Sequence, residues 1–257
     1  MGNIIINEQL KFMNFKKLNE QNVTNLFTFI PYNFRKNIVS DEEIMKNYDK
    51  IQNDINHQFL KIVKPIQTHT SVVKVLNENN INDEFNDVDG LITNMKNIAL
   101  VTSLADCQGI LLYDDNKKVI GNIHSGWKGT FDKIIENAIK LMIDEFGCNP
   151  KDIEAYITPS IMDCCFEVDE DVKNMFQNKF QDINIDELIK LGEIKDNKQK
   201  YYIDTIEINR RVMLNLGLNE SNIISSNMCS KCNSNIIHSH RHEGINSGRN
   251  IALICLK

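Results

Sequence analysis

Two hydrophobic periods alternate along the chain. Short β-branched runs bounded by Asn, Asp or Gly predict strands at Phe59 to Val63, Val72 to Leu76, Ile98 to Leu104, Ile110 to Tyr113, Val119 to Ile123 and Ile153 to Thr158. Further strands are predicted near Ile223 to Ser226, Ile236 to Ser239 and Asn250 to Cys255. Helical spacing replaces this pattern in three places. Ser40 with Glu43 has capping-box spacing, and Ile44, Tyr48, Ile51 and Ile55 then share a face, which predicts an amphipathic helix over 41 to 57. Phe131, Ile134, Ile135, Ala138, Ile139 and Met142 predict a second helix, stopped by Gly147 and Pro150. Asp204 with Glu207 opens a third, carrying Ile208, Val212 and Leu216 on one face and ending at Gly217. Strands outnumber helices and the two kinds are mixed. The expected class is therefore α/β of the mixed α+β kind, with layered, sandwich-like sheets flanked by helices. No Pro-, Gly- or Ser-rich linker divides residues 1–257, so they read as a single catalytic domain.

This pattern also places chemistry. Asp114-Asp115-Asn116-Lys117 reads as a hairpin turn between two of the strands, so Cys107 and His124 fall near the far ends of neighbouring strands. A thiolate and imidazoles are the donors that a borderline-soft ion such as zinc prefers, and three protein ligands leave one position open. A lone cysteine is more often a small apolar core residue, and Asp106 before Cys107 and Gly109 after it shift the reading towards a ligand. The alternative for Cys107 is a nucleophile with His124 as its base. His124 is followed by Ser125-Gly126-Trp127, an unusual loop for a histidine that is merely satisfied. Trp127, the only tryptophan, reads either as a packing anchor or as a platform for a flat ring.

Composition narrows the partner. A net charge of -6 argues against a general nucleic-acid binder or an anionic-membrane protein, which leaves a small molecule. The stretch from Met1 to Phe15 does not resemble a signal peptide, and no apolar run is long enough to span a bilayer. Seven cysteines, an odd number, include the adjacent pair Cys164-Cys165, which is poorly placed to bridge without strain. A reducing cytoplasm is the expected location. Cys229-x-x-Cys232 with His238, His240 and His242 offers the donors of a second metal cluster. On the predicted strand those three histidines would share one face, which suits a pocket wall better and places His240 and Arg241 at the substrate.

The ordered set of polar motifs resembles one family. Gln67-Thr68-His69, Asp89-Gly90-Leu91-Ile92-Thr93, Ala105-Asp106-Cys107 and His124-Ser125-Gly126-Trp127-Lys128-Gly129-Thr130 come first. Pro159-Ser160-Ile161, Cys164-Cys165-Phe166-Glu167-Val168, Asp204 with Asn209, Cys229, Ser239-His240-Arg241, Gly244 and Gly248-Arg249 follow in the same order. From about residue 60 to the C-terminus the chain is similar to the laccase-domain proteins, also called multicopper polyphenol oxidases or peptidoglycan editing factors. The resemblance implies an α/β sandwich and a zinc enzyme acting on purine nucleosides. Phosphorolysis of adenosine, inosine and methylthioadenosine is the implied main activity, with adenosine deamination beside it, and purine nucleoside and phosphate as partners. It makes His69, Cys107 and His124 the metal ligands, with copper as the alternative metal.

Within that frame Cys107, His124, Asp106 and Arg241 are the expected catalytic residues. Trp127, Lys128, Tyr48, His240 and Arg249 are expected at the substrate, with Lys128, Arg241 and Arg249 as candidate phosphate contacts. Zinc lowers the pKa of a water ligand, which suits hydroxide delivery to C6 of adenine, whereas phosphorolysis needs phosphate held against the ribose C1'. Asp106 and Asp163 are candidate acids, and Asp106 is equally a residue that orients a ligand. The chain departs from the family pattern in three places. Tyr48 stands where the family has arginine, His242 stands where a second arginine follows Ser-His-Arg, and Thr158 with Met162-Asp163 replaces a Gly-rich turn. The rival readings are a copper-dependent phenol oxidase, a cysteine-dependent amidase acting on a peptidoglycan precursor, and a non-catalytic metal-binding module. The quaternary state is expected to be monomer or homodimer.

Overall fold

The computed structural model describes residues 3–257; Met1 and Gly2 of the expected single domain lie outside the described residues. Two six-stranded sheets dominate. One runs edge to edge as Ile4–Asn7, Phe12–Phe15, Val23–Thr28, Asn250–Leu256, Ile98–Leu104 and Lys61–Val63. The other runs as Ile223–Ser225, Ile153–Ile157, Gln108–Asp114, Val119–Ser125, Gly90–Thr93 and Val73–Val75. A small three-stranded sheet of Glu167–Val168, Lys198–Ile203 and Ile189–Lys195 stands beside them. The mixed α/β, layered-sheet expectation holds.

Side-chain alternation along the strands builds the layers. In Asn250–Leu256, Ala252, Ile254 and Leu256 pack between the two large sheets with Leu100, Leu111, Ile120 and Tyr156. Ile251, Leu253 and Cys255 point the other way, onto Ile44, Tyr48 and Ile51 of the helix Asp41–Asp54. The outer face of the second sheet is covered in turn by Ile134, Ile135, Ala138, Ile139 and Met142 of the helix Ile134–Phe146, and by Ile208 and Val212. Central strands buried on both faces carry apolar residues at consecutive positions, which explains the short continuous runs in the sequence.

The predicted helix caps form as expected. Ser40 Oγ accepts from the Glu43 N–H at 3.1 Å and Asp204 from the Glu207 N–H at 2.9 Å. Gly147 closes Ile134–Phe146 in the left-handed conformation at φ 65°, which glycine adopts without steric cost. The helix expected to run on from Phe131 is broken instead, because Lys133 at φ 56° separates Trp127–Phe131 from Ile134–Phe146.

The strand predicted at Ile236 to Ser239 is absent. The Ile237 N–H is taken by the Asn233 carbonyl and the His238 N–H by Asn250 Oδ1, so this backbone is held by a turn and a side chain rather than a neighbouring strand. The helix His240–Glu243 follows directly. Three N-terminal strands, the helix Glu170–Lys179 and the hairpin of Ile189–Lys195 with Lys198–Ile203 are elements the hydrophobic pattern does not announce. In Val23–Thr28 the buried Asn25 interrupts the apolar run, and its amide is satisfied by bonds to Phe15 and Asn19.

One buried amide bridges the two large sheets. Asn122 donates to the Leu100 and Ala252 carbonyls, both at 2.9 Å, and accepts from Thr102 Oγ1 at 2.8 Å. Asn122→Leu keeps the volume but strands those partners in an apolar layer, so a loss of about 2 kcal/mol is expected from the urea-unfolding midpoint. An unchanged midpoint would show that the bridge is energetically idle.

Candidate metal centre and active site

Cys107 and His124 meet because of strand register. Gln108 pairs with Ser125 and Gly109 with His124 across the two antiparallel strands, so Cys107, one residue before its strand, ends beside the His124 ring. His69 arrives on a separate loop, in the left-handed region at φ 63°. Its ring lies 4.9 Å from that of His124 between centroids, and its Nε2 lies 3.8 Å from Cys107 Sγ. Gly126 is what lets the two segments close. A Cβ there would sit 2.8 Å from His69 Cδ2 and 3.1 Å from Cys107 Sγ.

Asp89 organises the cluster. Fully buried, it accepts from His124 Nδ1 at 2.6 Å, from the Thr70 hydroxyl and N–H at 2.7 Å each, and from the His69 N–H at 3.1 Å. The bond to Nδ1 fixes the ring so that Nε2 faces Cys107 and His69. Asp89 belongs to the motif Asp89-Gly90, but nothing in its spacing distinguishes an orienting carboxylate from a turn residue.

Burial would raise the Asp89 carboxyl, yet the bonds from His124 and Thr70 hold it down at about 2. Burial would likewise raise the Cys107 thiol, but the facing His124 and His69 rings bring it to about 6. His124 loses from burial and gains more from Cys107 and Asp89, so its pKa rises to about 9. Without a metal the pair is a thiolate and an imidazolium at neutral pH.

The donor set fits zinc. The three ligand atoms lie within 4.8 Å of one another, and the 3.8 Å from Cys107 Sγ to His69 Nε2 is close to the ~3.6 Å that separates N and S on a tetrahedral ion. The cluster opens onto a cavity of about 500 Å³. Among the residues lining it are Trp127, Lys128, Phe166, His240, Arg241 and Arg249. Arg241 lies 5.7 Å over the Phe166 ring and donates to the Cys165 and Glu167 carbonyls. Arg249 also borders a second cavity beside the cluster, where Tyr48 lies against Phe34 with ring centroids 5.0 Å apart. Burial holds the Tyr48 phenol well above its ordinary value.

Asp106 lines the same cavity, and both of its oxygens accept hydrogen bonds. One oxygen accepts from Ser230 and Ser239 hydroxyls, both at 2.6 Å, and the other from the Arg241 N–H at 2.6 Å. Asp163 is paired with Lys190. The histidines near Cys229-x-x-Cys232 do not share a face as the predicted strand would require. His238 is buried against the Tyr32 carbonyl and Glu243, while His240 and His242 lie on the short helix His240–Glu243. The two thiols instead face Cys164 and Cys165.

Residues 33–257 match the family model described as multi-copper polyphenol oxidoreductase laccase. The chain belongs to this family. Within the laccase-domain family, the purine nucleoside phosphorylase YlmD of Bacillus subtilis (strain 168) is 30% identical over 224 residues, covering 84% of this chain and 78% of that one. An adenosine deaminase, RL5, from an unknown prokaryotic organism is 32% identical over 195 residues, covering 73% and 72%. The crystal structure of a hypothetical protein, YfiH, from Bacillus licheniformis superposes with a TM-score of 0.87 at 25% identity, covering 97% of this chain and 98% of that one.

Two outcomes follow from this geometry. Metal ligation needs a neutral imidazole, so zinc binding at the His69, Cys107 and His124 cluster at pH 7.5 should release close to one proton per ion, mainly from His124. The release should fall towards zero as pH passes about 9, which calorimetry in buffers of different ionisation enthalpy measures directly. A release independent of pH would contradict the imidazolium. Asp89→Asn should weaken zinc binding about 10- to 100-fold, read by competition with a chromogenic chelator.

Proposed function

We propose that this protein is a zinc-dependent purine nucleoside phosphorylase acting on adenosine, inosine and methylthioadenosine, with adenosine deamination as a companion activity. The observation that carries this reading is the His69, Cys107 and His124 cluster, opening onto a cavity with both flat apolar walls and cations. The names of the relatives support it. A volume of about 500 Å³ lies in the range of small-molecule sites and suits a nucleoside with phosphate.

His69, Cys107 and His124 would hold the ion, which when bound supplies Lewis acidity at the head of the cavity. Trp127 and Phe166 offer apolar faces to the purine. Lys128, Arg241 and Arg249 place positive charge where a phosphate oxygen attacks the ribose C1' as the bond to the purine breaks. His240, an exposed imidazole on the cavity wall, would contact the purine nucleoside. We assign Asp106 a positioning role. Its carboxylate binds the start of the helix that carries His240 and Arg241.

The phenol-oxidase rival needs several copper centres for four-electron reduction of oxygen. Among the described residues histidines join in one metal-capable group, and His57 is bonded instead to Thr24 and Asn97. The amidase reading draws on one observation, the thiolate of Cys107 beside a protonated His124. Chelation separates it from the zinc reading, since it should abolish the metal reaction and leave a free thiol nucleophile.

Protein of measured zinc content should convert adenosine to adenine only when phosphate is present, with some inosine, when the products are separated by chromatography. His124→Ala should lower the rate more than about 100-fold. Inosine as the sole product would make the enzyme a deaminase. Neither product from zinc-replete protein would overturn adenosine as substrate.

A further inference from the structure

Cys164, Cys165, Cys229 and Cys232 converge from two loops, and their sulfurs all lie within 4.8 Å of one another. Sγ of Cys164 is 3.7 Å from those of Cys165 and Cys232, and Cys165 is 3.5 Å from Cys232. Disulfide sulfurs stand about 2.05 Å apart, so none of these pairs is bonded. A tetrahedral ion with metal–sulfur bonds of about 2.3 Å places its sulfurs about 3.8 Å apart, the edge of the tetrahedron. The three measured separations lie close to that edge. Cys164 and Cys232 are exposed, so the cluster is not explained as apolar core, and exposed free thiols otherwise invite oxidation.

The backbone around the cluster is already organised. Against burial, the backbone amides of Cys232 and Met162 hold the Cys229 thiol below its ordinary value. The two loops are already paired through Ser160 and Cys229, with the Ser160 N–H on the Met228 carbonyl at 3.2 Å and the Ser230 N–H on the Ser160 carbonyl at 3.0 Å.

We propose that these four cysteines form a second, structural zinc site, closed by four thiolates and separate from the His69, Cys107 and His124 cluster. Its ion staples the 160–166 loop to the 228–232 loop. These loops carry the wall of the active-site cavity: Ile161 and Phe166 line it, Cys165 holds Arg241 through its carbonyl, and Ser230 holds Asp106. With four protein ligands no position stays open for substrate, which makes the site structural rather than catalytic.

The test is zinc per chain, by elemental mass spectrometry, in full-length protein purified without chelator. Wild type should hold about two ions, and Cys164→Ser and Cys232→Ser about one each. His124→Ala should also hold about one, and its combination with Cys232→Ser almost none. In cobalt-loaded protein the intense thiolate-to-metal absorption should survive His124→Ala and fall in Cys232→Ser to the weaker band of the single Cys107 thiolate. Should the cysteine variants fail to fold, alkylation of wild type keeps the question open to a decision. Cys164 and Cys232 should be protected in the metal-loaded protein and modified at least about tenfold faster after chelation. Equal alkylation with and without metal, a Cys165–Cys232 disulfide in mapped peptides, or zinc-free His124→Ala protein would each overturn the proposal.

Discussion

Asp89 keeps an ionised carboxylate at 0% exposure, where an unpaired charge would cost several kcal/mol. It is stable there because donors reach it from separate parts of the chain: the Thr68, His69 and Thr70 backbone, the Thr70 hydroxyl and the His124 ring. Satisfying one charge therefore folds the 68–70 loop onto the strand ending at Ser125. The same bonds orient His69 and His124 towards Cys107. The carboxylate is both a structural knot and the device that aims two histidines of the metal-capable cluster.

The sheet sandwich supplies what the carboxylate needs. Register between Gln108–Asp114 and Val119–Ser125 sets Cys107 beside His124, and burial of both sheets excludes the water that would otherwise solvate Asp89. The cavity wall depends on a different principle. Irregular segments at 160–166 and 226–241 have few ladder bonds of their own, and they are held by Asp106, Arg241 and the clustered cysteines. A large apolar core thus positions the metal-capable cluster, while polar links position the groups that face the cavity.

Legibility followed the physics of each element. The caps at Ser40 and Asp204 were readable because a capping box is local in sequence. Strands around Cys107 and His124 were readable because burial on both faces leaves continuous apolar runs. The N-terminal strands were not, since Asn25 and Asn14 interrupt the pattern and are satisfied only by partners brought from other segments. Ile236-Ile237 reads as a strand by composition, but both of its N–H groups are taken by the Asn233 carbonyl in a turn. Asp89 stayed hidden because an Asp-Gly pair looks the same whether the carboxylate is solvated or buried.

By itself the sequence determined the fold class, the family and the three residues of the metal-capable cluster, because those are written in short local motifs and in hydrophobic period. Only the tertiary structure decided which carboxylate orients His124 and that Asp106 binds the start of the helix His240–Glu243. It also decided that Cys229 and Cys232 face Cys164 and Cys165 rather than the nearby histidines. The physical reason is distance along the chain: these contacts join residues tens of positions apart, and hydrophobic pattern records which face of an element is buried, not which polar group waits on the other side.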